Sequence, residues 1–151
     1  MKVDIEILSS AAQFTSLEDD WDRLVSENPD TANGLDATNG YRWFCALIQT
    51  FEVGRTARIV VLRERGQVIG LLPLVRIGNG LCKRLAVASE LYGGRSGLLL
   101  KRNDPQLLAA LFQGASVAFG PWQMIKMMVV EGSRTATLLA KAAPELGFKV
   151  D

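Results

Sequence analysis

Two apolar segments joined by a short polar turn constrain the fold more than any other feature of the sequence. Residues 59–62 and 68–75 are rich in branched aliphatic side chains, and the connecting segment 63–67 is charged and contains Gly66. Apolar runs bounded by turn residues in this way predict a β-hairpin. Pro73 has no N–H to donate to a strand ladder, so it marks either a bulge or a place where the sheet stops pairing.

The segment before the hairpin predicts one strand and two helices. Val3, Ile5 and Ile7 alternate with acidic residues, a pattern typical of a half-buried strand. An apolar stripe at helical spacing follows over residues 17–25, and Thr15 and Ser16 offer two N-caps in capping-box register with Glu18 and Asp19. A second helix is predicted from its apolar face, which consists of Phe44, Leu47, Ile48 and Phe51.

The segment after the hairpin predicts further strands alternating with helices. Residues 85–88 and 98–100 are expected to be strands flanking a glycine-rich loop. Asp104 is expected to cap a helix that begins at Pro105 and stops at Gly120-Pro121, and Ser133 to cap a last helix. Residues 122–130 predict a strand between these helices, and residues 147–150 predict the start of another. This order of strands and helices predicts an α/β (α+β) fold with a mixed central sheet covered by helices on both faces.

The composition is that of an ordinary soluble domain and excludes several classes of function. A chain of 151 residues with 48% hydrophobic and 22% charged residues is long enough for one good core. The net charge of +1 gives no broad field for nucleic acid or anionic lipid. The absence of histidine removes the commonest general base and the commonest metal ligand, so no metal is expected. Cys45 and Cys82 lie far apart in the sequence and are expected to be reduced and buried.

Neither a leader peptide nor a membrane span is expected. The alternation of apolar and charged residues over positions 1–7 leaves no uninterrupted apolar h-region of a signal peptide. No run of 18 apolar residues is present. We therefore expect a cytoplasmic protein.

Short motifs add a family resemblance. The first helix carries a Leu-Glu-x-x-Trp-x-x-Leu pattern over residues 17–24, the second begins with the aromatic segment Tyr41-Arg42-Trp43-Phe44, and the hairpin ends in Gly70-Leu71-Leu72-Pro73-Leu74. With the order of elements, these motifs resemble the GNAT acyl-CoA N-acyltransferase fold, and within it the N-terminal half of CelD-like (BioF2-like) proteins, which are close to the FemAB aminoacyltransferases.

The resemblance implies an activity for a longer protein rather than for this chain alone. Proteins of this kind carry two tandem GNAT-like domains and transfer an acyl group to an amine of a polysaccharide or cell-envelope acceptor, with acyl-CoA as the implied donor. Residues 1–151 would be the first domain, which frames the acceptor groove. The implied partner is the missing C-terminal GNAT domain or a second copy of this chain, and no nucleic acid is expected.

The segment Leu98–Pro105 departs from catalytic GNAT domains, which hold the cofactor's pyrophosphate there. A phosphate cradle needs glycines and free backbone N–H groups at a helix N-terminus. Here Asp104 would repel phosphate, and Pro105 has no N–H. We therefore expect no cofactor-binding and no catalytic residue in this chain, which by itself would be inactive.

The best candidate substrate-binding residues are Glu90, Tyr92 and Arg95, in the loop Ser89–Gly97. Glu90 could act as a general base or accept a hydrogen bond from an amine, and Arg95 could clamp a carboxylate or phosphate. In the resembling family a loop in this position faces the groove between the domains. The alternative is a strand connection with a surface ion pair.

Asp36 and Trp43, near the start of the second helix, are the other candidates, because this region borders the substrate cleft in GNAT folds. Asp36 and Thr38 are alternatively cap or turn residues, and Trp43 is alternatively a packing residue rather than a platform for a sugar. Trp122, Met124, Met127 and Met128 are expected to fill the core from a central strand. The hairpin arginines are expected to form a solvated face or, alternatively, to meet an acidic partner; they are Arg55, Arg58, Arg63, Arg65 and Arg76.

Two further functions stay open. The chain could be a stand-alone binding module that dimerises through a sheet edge left open after Val150, since unpaired strand edges attract other chains. It could also be a complete small GNAT enzyme with a divergent cofactor site.

Overall fold

The computed structural model describes residues 2–30, 40–78, 80–88 and 97–151. Within them the chain forms six strands, five α-helices and one 3-10 helix. In chain order these are β1 (Asp4–Leu8), α1 (Ala11–Thr15), α2 (Glu18–Glu27), α3 (Tyr41–Thr50), the 3-10 helix (Glu52–Thr56), β2 (Arg58–Glu64), β3 (Gln67–Ile77), β4 (Arg84–Val87), β5 (Leu99–Leu100), α4 (Pro105–Phe119), β6 (Met124–Lys126) and α5 (Arg134–Glu145).

The predicted hairpin is confirmed and forms the centre of the sheet. Strands β2 and β3 pair in antiparallel fashion, β1 lies outside β2, and the order across the sheet is β1-β2-β3-β4-β6, with β5 also paired to β3. The register shifts at Leu62 and Arg63, so the bulge is not at Pro73, which lies opposite Ile59. Pro73 instead marks a stop in pairing: on its other side β4 pairs from Leu74 onward and β5 only up to Leu71.

Strands β4 and β5 are two parts of one interrupted strand alongside β3. Leu74 pairs with Val87, whereas Leu71 pairs with Leu99. From Leu74 to Leu71 the chain of β3 covers three residue steps, whereas the paired segment from Val87 to Leu99 covers twelve. A continuous partner strand would cover three. The described pairing along β3 therefore has a gap between β4 and β5, and this gap faces Pro73, which has no N–H to leave unpaired.

The sheet is covered on both faces, as the order of elements predicts. Helices α4 and α5 cover one face through Leu107, Leu111 and Leu138, which pack on Val60, Leu72 and Leu85 and other residues of the sheet. Helices α1 to α3 cover the other face, where the ring of Phe44 contacts those of Phe14 and Trp21. Gly114 lets α4 approach the sheet closely, because a Cβ there would collide with Val60 Cγ1.

The first helical region differs from the prediction. Ser10 caps a short additional helix, α1, through a complete capping box with Gln13. Thr15 and Ser16, the predicted N-caps, lie at the end of α1, where each hydroxyl donates to a backbone carbonyl. Helix α2 follows with Leu17 at its N-cap position and no side-chain cap. The prediction failed because an earlier serine with a glutamine three residues later satisfies the same capping rule.

The caps predicted for the last two helices are confirmed. Asp104 and Ser133 accept backbone N–H groups at the N-termini of α4 and α5, and Gly120 ends α4 with a φ of 74°. The strand predicted at residues 147–150 is wrong. Gly147, with a φ of 88°, instead ends α5: its N–H donates to the Pro144 carbonyl and the Phe148 N–H to the Ala143 carbonyl. This is the Schellman arrangement that a left-handed glycine favours.

The central strand predicted over residues 122–130 is confirmed only in part, because the strand that is present there is shorter and is not central. Only Met124–Lys126 pairs, in parallel with β4, and among the described strands β6 is the last one at its edge. Met124 and Met128 are accordingly exposed, the latter by 50%, whereas Met127 and Trp122 pack against the core. A methionine-rich segment resembles a buried strand in sequence, but an edge position leaves one of its faces uncovered.

Both cysteines are free, but they are not both buried. Cys45 is partly buried beside the aromatic cluster of α3, and Cys82 is exposed in the turn between β3 and β4. None of the helices that the structure describes is long and apolar enough to cross a bilayer.

Candidate functional site at the N-terminus of helix α4

The N-terminus of α4 is closed by its own residues. Pro105 occupies the first helical position and has no N–H. The N–H of Gln106 donates to the Asp104 carboxylate at 2.8 Å, and the N–H of Leu107 donates to the Asp104 carbonyl at 3.1 Å. The first turn therefore presents no amide to an external anion, and a carboxylate occupies the place where such an anion would sit.

Glu64 and Arg102 form an ion pair next to this helix terminus. The two carboxylate oxygens of Glu64 accept from the guanidinium of Arg102 at 3.1 and 3.2 Å, and Arg102 Nε lies 3.7 Å from Asp104. The hydrogen bond from Arg102 holds the pKa of the Glu64 carboxyl below its ordinary value, and the same bond raises the pKa of Arg102. The guanidinium is thus already engaged by two carboxylates of this chain.

The interruption between β4 and β5 locates the predicted loop in the fold. Ala88 and Leu98, on either side of it, are buried, and so is Gly97. Glu90, Tyr92 and Arg95 lie outside the described residues. Ala88 and Leu99 belong to the same core layer as Phe44 of α3, whereas Val87 and Leu98 belong to the layer on the other face of the sheet.

Pairing also stops between β4 and β6. The parallel register joins Arg84 to Met124 and Ala86 to Lys126, and no later residue of the segment 127–130 is paired in a strand. Met127 and Val129 still pack on the core. The described pairing between β4 and β6 therefore ends at Ala86 and Lys126.

The remaining predicted residues lie at α3 and before it. Trp43 is 37% exposed on α3 and belongs to neither core cluster of the described residues. Asp36 and Thr38 lie outside the described residues. Asp30, just before them, has a structural role: its carboxylate accepts the N–H groups of Arg134 and Thr135 at 3.2 and 3.1 Å, at the N-terminus of α5.

Sequence reasoning missed three residues of this region. Glu64, Arg102 and Asp30 act through partners that lie far away in the sequence, at separations of 38 residues for the ion pair and 104 for Asp30 and Arg134. Only the capping role of Asp104 has a local signal, because the groups it binds are within four residues. No cluster of three or more metal-ligating side chains occurs in the parts of the chain that the structure describes.

Comparison with known proteins identifies a solved structure with a similar fold. The structure superposes on the crystal structure of the ribosomal-protein-alanine N-acetyltransferase from Brucella melitensis biovar Abortus 2308 with a TM-score of 0.55, over 99% of this chain and 94% of that one. The fold is that of the GNAT acyltransferases. The sequence identity is 11%, so the likeness concerns the fold and not the reaction. No family model and no curated protein matches the sequence.

The GNAT fold implies acyl-CoA, and the described residues do not fit its pyrophosphate at the N-terminus of α4. The resemblance described above assigns the pyrophosphate to this terminus. There the first turn has no unengaged N–H, and two carboxylates, those of Asp104 and Glu64, lie close together. Their charges oppose a diphosphate, and Arg102, the nearest guanidinium, is engaged by both.

Proposed function

We propose that this chain is the N-terminal GNAT-like domain of a CelD- or FemAB-type N-acyltransferase, in which it supplies scaffold and an acceptor groove. The acceptor is an amine of a polysaccharide or cell-envelope molecule, and the acyl-CoA donor is held by a second GNAT-like domain. The observation that carries the proposal is the closed N-terminus of α4 within a GNAT-like fold.

The proposed acceptor groove would lie beside the gap in strand pairing between β4 and β5. Glu90 would accept a hydrogen bond from the amine or remove its proton, Arg95 would bind an anionic group, and Tyr92 would add a hydroxyl. Asp36 would add a carboxylate, and Trp43, exposed on α3, would provide an aromatic face for a sugar ring. Acyl transfer to an amine needs little beyond positioning, deprotonation and stabilisation of the oxyanion, so a domain that only orients the acceptor still contributes to the rate.

The test of the proposal is a titration of the isolated chain with acetyl-CoA, followed by backbone amide chemical shifts. We expect no saturable shifts in residues 101–106. The double variant Asp104→Gly/Pro105→Gly, which restores two free amides, is the matched comparison, and we expect it to respond more than the natural chain. Saturable shifts of residues 101–106 in the natural chain, or thioester turnover by it, would refute the proposal and revive a complete small enzyme.

A second candidate function is a non-enzymatic module that dimerises. The observation that favours it is that β6, the last described strand at its edge, and the segment after it alternate in exposure: Met124, Met128 and Val130 are exposed, while Met127 and Val129 pack on the core. This pattern suits the addition of a further strand. Sedimentation over a range of concentrations tests it, with Met128→Lys as the variant expected to reduce association, and a strictly monomeric chain at high concentration contradicts it.

A further inference from the structure

One end of the sheet gathers cations that the sequence distributes along the chain. The segments 51–58 and 74–85 contain five basic residues and a single carboxylate, Glu52. The basic residues, which we call the basic end, are Arg55, Arg58, Arg76, Lys83 and Arg84. The net charge of +1 conceals this arrangement, because a sum over the chain carries no information on position.

The strand register and two hydrogen bonds bring these segments together. Arg58 pairs with Leu74, so Arg76, two residues further along β3, lies diagonally from it on the same face. Arg84 pairs with Ile77, at the end of β3. The N–H of Arg76 donates to Thr56 Oγ1 at 2.9 Å, which joins the 3-10 helix carrying Arg55 to the same end.

These cations are largely uncompensated within the described residues. Lys83 donates to the Phe119 carbonyl at 2.6 Å and so caps the C-terminus of α4, a structural role that the helix dipole favours. Arg55, Arg76 and Arg84 are exposed, and none of them forms a salt bridge with a carboxylate that the structure describes. By contrast, Arg63 at the opposite end of β2 is paired with Glu6 at 2.8 Å.

An apolar side chain projects from the same end. Leu81 lies in the turn between β3 and β4 and is 104% exposed, which means that no part of it is covered by the protein. Leu81 is flanked by Lys83 and Arg84 on one side and follows Arg76 on the other. An exposed leucine at the same end of the sheet as these cations, with no pocket of its own, suits insertion into a fluid apolar phase below an anionic surface.

We propose that the basic end and Leu81 bind the surface of an anionic lipid bilayer. The arginines contact lipid headgroups, and Leu81 enters the boundary between the headgroups and the acyl chains. Nucleic acid shares the charge complementarity, but it gives no reason for an uncovered leucine at the same end of the sheet. This inference is independent of the proposed acyl transfer, since it uses none of the candidate groove residues.

The experiment is co-sedimentation of the full chain with vesicles of phosphatidylcholine, with and without about one quarter phosphatidylglycerol. We expect binding only to the anionic vesicles, and weaker binding as salt is added. Arg76→Ser/Arg84→Ser is expected to lower the affinity by about 25-fold, at about fivefold per cation. Leu81→Ser, which leaves the charge unchanged, is expected to lower it by about tenfold.

The matched control removes two cations from the opposite end of the sheet, in Lys2→Ser/Lys101→Ser, and is expected to change the affinity by less than about twofold. Circular dichroism verifies that every variant is folded. The proposal is overturned by equal binding to neutral vesicles, by no binding to anionic ones, or by an equal loss in the control pair. Tight binding of an oligonucleotide that depends on the arginine pair and not on Leu81 would also overturn it, in favour of a nucleic-acid surface.

Discussion

The Asp104 carboxylate accepts the backbone N–H of Gln106 at 2.8 Å, and this contact both stabilises helix α4 and closes its N-terminus to other anions. We expect Asp104→Ala to lower the free energy of unfolding by about 1 kcal/mol, because the N-cap is lost. Asp104→Asn, whose side chain also accepts this N–H, should stay close to the natural chain. Urea unfolding of the three proteins measures the difference, and equal losses in both variants would contradict the capping role.

The Glu64–Arg102 ion pair predicts a pH-dependent contribution to stability. Because the pKa of Glu64 is lower in the folded protein than in the unfolded chain, the stabilisation is present above the unfolded value and is lost as the pH falls through the folded value. Glu64→Gln should therefore be less stable than the natural chain at neutral pH, and the two should converge in acid. Unfolding measured at several pH values tests this, with the exposed Glu131→Gln as the control; a difference that persists in acid contradicts it.

The close approach of α4 to the sheet predicts that Gly114→Ala is destabilising. In an open helix position this change would favour the helix by up to about 1 kcal/mol. Here the added Cβ would meet Val60 Cγ1, and also Ile5 Cγ2 at 3.1 Å, so we expect a net loss of about 1–3 kcal/mol. Gly80→Ala, where the nearest atom is 3.7 Å away, is the control and should change the stability by less than about 0.5 kcal/mol in thermal or urea unfolding. A gain in stability from Gly114→Ala would contradict the observed packing.

The contact of Asp30 with α5 predicts a local effect at a distant helix. Asp30→Ala should lower the stability by about 1 kcal/mol and speed hydrogen exchange at Arg134 and Thr135, whose N–H groups it binds. Asp30→Asn retains one acceptor oxygen and should show a smaller change at these two amides. Unaltered exchange of Arg134 and Thr135 in Asp30→Ala would show that the contact does not hold the helix in solution.

Local signals in the sequence were sufficient where both partners of an interaction lie close together. Asp104 with Pro105 and Ser133 predicted the beginnings of α4 and α5, and the apolar runs around Gly66 predicted the central hairpin. The same kind of signal misled at Thr15 and Ser16, because Ser10 with Gln13 satisfies the capping rule five residues earlier. Capping rules identify residues that suit a helix start, and packing then decides which of them is used.

The candidate site was predictable only in part. The closed N-terminus of α4 follows from Asp104 and Pro105 alone, whereas the Glu64–Arg102 pair beside it depends on the pairing of β3 with β5. The exposure of Met124 and Met128 was not predictable from their hydrophobicity, since it depends on the position of β6 at an edge of the sheet.

The sequence by itself determined the hairpin, the two-sided helical cover of a mixed sheet and the N-termini of the last two helices, because turns, caps and apolar periodicity act over a few residues. Only the tertiary structure decided that β4 and β5 are parts of one interrupted strand, that β6 lies at an edge, and that five cations meet at one end of the sheet. These features depend on strand order and register, which are fixed by contacts between residues far apart in the chain and by the way two helical layers cover a single sheet.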